Sequence, residues 1–156
     1  MSELIINNEL TMDCPEGFHV LSDEERSRMN MLREGEWTGM SDPERHIIAS
    51  AGWEKPAFIS VIMGANDIAD VCEKRIRKAL QPMGYKLESR EERTIAGEKA
   101  AGICYGYTVQ DTGMCAKTYA FRRGKYVYYF HFYYREALKE ESLPVLEALL
   151  ASVKTK

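Results

Sequence analysis

The chain lacks most of what would announce a chemistry. Its four cysteines, Cys14, Cys72, Cys104 and Cys115, include no C-x-x-C pair, which excludes zinc-ribbon and thioredoxin-type spacings. The three histidines, His19, His46 and His131, form no HxH or HxxxH arrangement, so neither metal nor cofactor is expected. Gly35 with Gly39, Gly64, and Gly102 with Gly106 miss the G-x-G-x-x-G and P-loop spacings and read as turns or packing sites. No apolar run approaches the roughly 20 residues that span a bilayer. The start, MSELIINNEL, has neither the basic opening nor the longer apolar stretch of a secretory signal. Charge of one sign is missing too. With 24 acidic and 21 basic residues the net charge is −3, which gives no global field for nucleic acid or an anionic membrane. These absences predict a cytoplasmic protein of one domain, its thiols free, with 156 residues to build a core.

What is abundant is aromatic. Lys125 to Tyr134 (KYVYYFHFYY) holds seven rings and a histidine in ten residues. Tyr, Phe and Val suit a pleated, packed surface, so the segment predicts a central β-strand. Tyr126, Tyr128, Phe130, Phe132 and Tyr134 alternate with Val127, Tyr129, His131 and Tyr133, and both sets are largely aromatic. A sheet with one wet face would alternate apolar with polar. This strand therefore predicts a sheet covered on both sides.

Around it the pattern changes along the chain. Leu4 to Met12 suggests a hairpin with a two-residue turn at Asn7-Asn8. Pro15-Glu16-Gly17 turns the chain into Phe18 to Leu21, and Ser22 with Glu25 has capping-box spacing for a short helix that ends by Met31. Gly35 and Gly39 frame a looser segment around Trp37. Asp42-Pro43 opens a turn, and Arg45 to Trp53 reads as a strand. Phe58 to Met63 fits strand or loop equally. Asn66 would cap a helix from Asp67 to about Leu80 with a stripe at Ile68, Val71 or Cys72, Ile76, Ala79 and Leu80. Asp70–Lys74 and Glu73–Arg77 would lie on its solvated side. Four strands follow, Tyr85–Ile95, Lys99–Val109, Gly113–Arg123 and Lys125–Tyr134, joined closely enough to require an antiparallel meander. A strip of Ala100, Gly102, Cys104 and Gly106 would let large rings approach the second strand. A hairpin turned at Asp111-Thr112 would set Cys115 opposite Thr108, too far from Cys104 for a disulfide. Last, Ser142 could cap a helix that turns Leu143, Leu146, Leu149, Leu150 and Val153 onto the sheet. The fold class is α+β, an antiparallel sheet sandwiched between helices.

This order of elements, with the Pro15-Glu16-Gly17-Phe18 turn and the segment Asp42-Pro43-Glu44-Arg45, resembles the PsbP/Mog-type α/β/α sandwich, including its bacterial branch. The resemblance runs from about Leu4 to Lys154. It implies a module that binds another protein, as a photosystem subunit and a Ran-binding factor of that type do. It transfers no catalytic residue.

Two surfaces compete for that role. Trp37, with Met31 and Met40 nearby and Trp53 in the next strand, offers rigid rings and adaptable thioethers to a partner protein. The simpler reading of the same tryptophans is that they cover one edge of the core. A small apolar ligand would instead require a pocket lined by Tyr105, Tyr107, Tyr129 and His131. His131, mid-strand among rings, reads more simply as a hydrogen-bonded core histidine. Nothing around the cysteines resembles a nucleophile's turn, so no enzyme is expected. The cluster Lys74, Arg75, Arg77 and Lys78 shares its helix with Asp67, Asp70 and Glu73 and reads as a solvated face rather than a nucleic-acid site.

Overall fold

The computed structural model describes residues 2–29, 35–56 and 64–156. The expected α+β architecture is present. Strand β1 (Ser2–Ile6) and β2 (Leu10–Cys14) form the first hairpin, and β3 (His19–Val20) and α1 (Asp23–Arg28) follow. Next come β4 (Glu36–Asp42), β5 (Ile47–Glu54) and α2 (Ala65–Leu80). The meander is β6 (Lys86–Ile95), β7 (Glu98–Val109), β8 (Thr112–Arg123) and β9 (Tyr126–Arg135), and α3 (Lys139–Ser152) and β10 (Lys154–Thr155) end the chain. Counted over the described residues, one sheet has the order β3-β4-β5-β9-β8-β7-β6 and a smaller one the order β1-β2-β10. The β4–β5 hairpin and the β6–β9 meander are antiparallel because their short turns leave no room for a crossover, and β5 also pairs antiparallel with the distant β9.

The aromatic strand β9 lies between β5 and β8, and both its faces are covered as expected. Tyr128, Phe130, Phe132 and Tyr134 join Tyr119, Phe121, Leu146, Leu149 and Leu150 of α3 in one core. Val127 and Tyr129 join Ile103, Tyr105 and Ile68, Cys72 and Ile76 of α2 in a second. The small sheet closes the α3 side, contributing Leu4, Ile6, Leu10 and Met12.

Several boundaries differ from the sequence expectation. The first hairpin keeps Asn7 and Asn8 at positive φ but adds Glu9 to the loop, whose N–H bonds to the Ile6 carbonyl. The segment around Trp37 is a regular strand, β4. Gly39 is there for packing, because a Cβ would lie 2.9 Å from the Ala49 carbonyl oxygen across the ladder. Helix α2 starts at Ala65, not beyond Asn66, since Asp67 reaches back to the Gly64 N–H at 3.3 Å. Cys72 takes the buried stripe position, while Val71 is 50% exposed and Ala79 also faces out. Glu73 is buried and not on the solvated side, held by the Tyr85 hydroxyl at 2.7 Å. Helix α3 begins before Ser142, which is buried inside it, because the 3-10 turn Glu136–Leu138 feeds it directly. The β7–β8 hairpin turns at Gln110-Asp111, both at positive φ, so Cys115 faces Gly106 and Cys104 faces Lys117. No disulfide joins any of the four cysteines. The ambiguous Phe58 to Met63 lies outside the described residues.

The two segments that carried the family resemblance meet in space. Asp42, almost wholly buried, accepts from the Glu44 and Arg45 N–H groups at 3.1 Å and from Arg45 Nε at 2.5 Å. Arg45 reaches on to the Glu16 carbonyl at 3.2 Å and stacks over Phe18. Each turn thus holds the other in place.

Candidate functional site

Register assigns every candidate side chain to a face. On the side of the large sheet covered by α2, Trp37 faces Gly52, Gly52 faces Tyr129, Tyr129 faces Ala120 and Ala120 faces Ala101. The next row is Ser50, His131, Thr118 and Ile103, and the one after it is Ile48, Tyr133, Ala116 and Tyr105. One row further lie Tyr107, Met114 and Arg135. Trp37, Tyr105, Tyr107, Tyr129 and His131 therefore share this face. Met40 and Trp53 do not, since Met40 is in the α3-side core and Trp53 packs against it.

Burial separates them further. Trp37 is 8% exposed and Met40 fully buried, so neither presents a ring or thioether to solvent. Arg26 Nη1 donates to the Trp37 carbonyl at 2.6 Å, tying α1 across the strand. Trp53 is half-buried and donates to Glu36 at 3.2 Å. Met31 lies outside the described residues.

The centre of the α2-side face is a satisfied polar layer. Thr118 Oγ1 is 2.8 Å from His131 Nδ1 and 3.3 Å from the Tyr105 hydroxyl. Tyr129 donates to Glu54 at 3.0 Å. Burial, with the Arg75 cation nearby, pushes the His131 pKa down to about 4, so its ring is neutral at physiological pH. Burial likewise raises Tyr105, Tyr129 and Tyr133 far above the usual phenol value, and Tyr107 to about 12. Neutral, bonded and enclosed, this layer has the chemistry of a core. An open cavity of about 430 Å³ lies elsewhere, between the start of α2 and the β6–β7 pair, lined by Asn66, Ala69, Arg90, Glu91, Glu92, Ala101 and Gly102. None of the four proposed pocket residues lines it.

The outer row is different. Tyr107 and Met114 are half-buried, as are Tyr133 and Ile48 in the row before them, and Leu87 and Val109 at the rim are 38% and 40% exposed. Helix α2 packs on β7 and β8, and Tyr107 and Met114 lie one row beyond Tyr105. Sequence reasoning singled out Tyr107 but not its neighbours, because their grouping depends on register across four strands.

Known folds settle the architecture. The chain superposes on cyanobacterial PsbP (CyanoP) from Synechocystis with a TM-score of 0.70 at 13% identity, over 99% of this chain and 92% of that one. The fold is PsbP-like. LpqN of Mycobacterium tuberculosis, described as involved in cell envelope biogenesis, matches with a TM-score of 0.56 at 10% identity, covering 94% of this chain and 83% of LpqN. A Bacteroides thetaiotaomicron structure matches at 0.60 and 13% identity over 99% of this chain, which spans about half (48%) of that longer one. A scan of family models and a search of curated proteins return no match. Among the described residues no helix is long and apolar enough to cross a membrane.

Proposed function

We propose that this chain is a single-domain, non-catalytic binding module that docks another protein on the outer strip of its α2-side face. The observation that carries the reading is the half-buried strip of Tyr107, Met114, Tyr133 and Ile48, rimmed by exposed Leu87 and Val109, beside a closed polar core. Tyrosine and methionine are enriched at interfaces because they add large contact area at low ordering cost. A PsbP-like scaffold supports the reading only by analogy, as CyanoP and LpqN share its shape and not its residues. The pocket alternative is weaker, since Tyr105, Tyr129 and His131 are packed and bonded, and a ligand there would have to displace α2. Four cysteines without a disulfide suit a reducing compartment such as the cytoplasm.

A photo-crosslinking side chain at position 114 tests this in native lysate, with the same group at the exposed Lys125 as control. The expected result is a discrete adduct from position 114 that is absent from position 125. Identical labelling from both positions would remove the strip as a docking surface.

A further inference from the structure

We propose that the strip receives an acidic, apolar peptide segment of a partner protein, with a carboxylate seated on Arg135. This deepens the docking reading above and rests on it. Arg135 ends β9 and stands opposite Met114, which stands opposite Tyr107, so the guanidinium-bearing residue shares a row and a face with that half-buried ring. It is half-buried. Among the described residues it has neither ion-pair nor hydrogen-bond partner. Seven other arginines each pair with a carboxylate, from Arg26 with Asp23 to Arg123 with Glu98. The contrast is not an accident of distance in sequence, because two carboxylates lie close by on the wrong side. Glu136 packs where a Gly113 Cβ would point, and Glu88 where a Gly106 Cβ would point. Gly113 and Gly106 alternate with Met114 and Tyr107, so both acids sit on the opposite face of the sheet.

A half-buried arginine without an anion keeps its guanidinium available beside the apolar strip, and a carboxylate is its geometric match. The flanking apolar area decides what carries that carboxylate. A free anion would leave Tyr107, Tyr133, Met114 and Ile48 as wet as before, whereas a peptide with apolar side chains beside its acid covers them. An anionic membrane would be attracted by several clustered cations, and this strip offers one.

Two fluorescein-labelled peptides provide the test, one alternating Asp with Leu and Phe, the other with Lys at each Asp position. Fluorescence anisotropy should show the wild type preferring the Asp peptide by about tenfold, the scale of one desolvated charge pair. Arg135→Glu should reverse the order, Arg135→Gln should abolish the preference, and Tyr107→Ser should weaken the Asp peptide. Thermal melts of each variant confirm folding. Equal binding of both peptides, lost in Tyr107→Ser, overturns the acidic segment and keeps the strip. Binding of neither peptide, or binding that no strip variant changes, overturns the proposal outright. So does Arg135-dependent binding to phosphatidylglycerol vesicles without binding to peptide.

Discussion

The two faces of the large sheet are made by alternate residues of the same strands, yet they have different chemistry. On the α3 side Phe121, Tyr128, Phe130 and Phe132 are fully buried, with Phe121 stacked on Tyr128 at 5.3 Å and edge-on to Phe130 at 5.2 Å. On the α2 side the same strands contribute Ser50, Thr118 and His131, buried and polar, and then an outer row that is only half-covered. A strand that looks uniformly aromatic in sequence thus separates a dry core from a hydroxyl-lined one. Stability should reside mainly on the first face, pH sensitivity at the centre of the second, and recognition at its margin.

The largest effect should come from the dry face. Phe130→Ala removes a ring in contact with Phe121 on the central strand and should cost about 3–5 kcal/mol in urea unfolding. A loss below about 1 kcal/mol would mean that the α3 side is not the main core.

The polar centre should respond to acid instead. In the unfolded chain His131 takes up its proton near 6.5, while in the folded protein it does so only near 4. Between those values the unfolded state binds more protons, so stability is complete above about pH 6.5 and falls as pH drops towards 4. The loss should be up to about 3 kcal/mol, following 1.36 kcal/mol per pKa unit. Urea midpoints measured across this window should decline in the wild type and flatten in His131→Gln. A wild-type curve as flat as that of the variant would place a charged, solvated histidine at this position.

How far the sequence could be read follows the same division. The meander, the two-sided burial of β9 and the capping box of Ser22 with Glu25 were all legible, because each depends on neighbours within a few residues. Glu73 was misplaced because an acid-first spacing with Arg77 looks solvated, and only the distant Tyr85 hydroxyl explains its burial. Trp37 was read as framed by flexible glycines, whereas Gly39 is pressed against the Ala49 carbonyl of the next strand. The third strand of the small sheet leaves no sequence signal, because β10 is two residues long and its pairing with Leu10 and Thr11 spans nearly the whole chain. The outer strip was invisible for a related reason. Ile48, Tyr107, Met114 and Tyr133 come from four strands, and a one-residue error at the Gln110-Asp111 turn would have changed the partners of Met114.

The smallest effect is the most discriminating one for the margin. Tyr107→Ala deletes as large a ring as a core substitution does, but from a half-exposed site at the end of the α2-side face. Part of that surface is already wet in the folded protein, so less transfer free energy is lost and no closed cavity remains. Its ring contact with Tyr105, stacked at 6.3 Å, contributes modestly. The expected cost is about 1 kcal/mol, well below that of Phe130→Ala, measured by urea unfolding under the same conditions. A loss matching Phe130→Ala would make Tyr107 part of the core and leave the strip too rigidly occupied to serve a partner. A small loss in stability combined with a large loss of crosslinking from position 114 would separate recognition from folding on a single face.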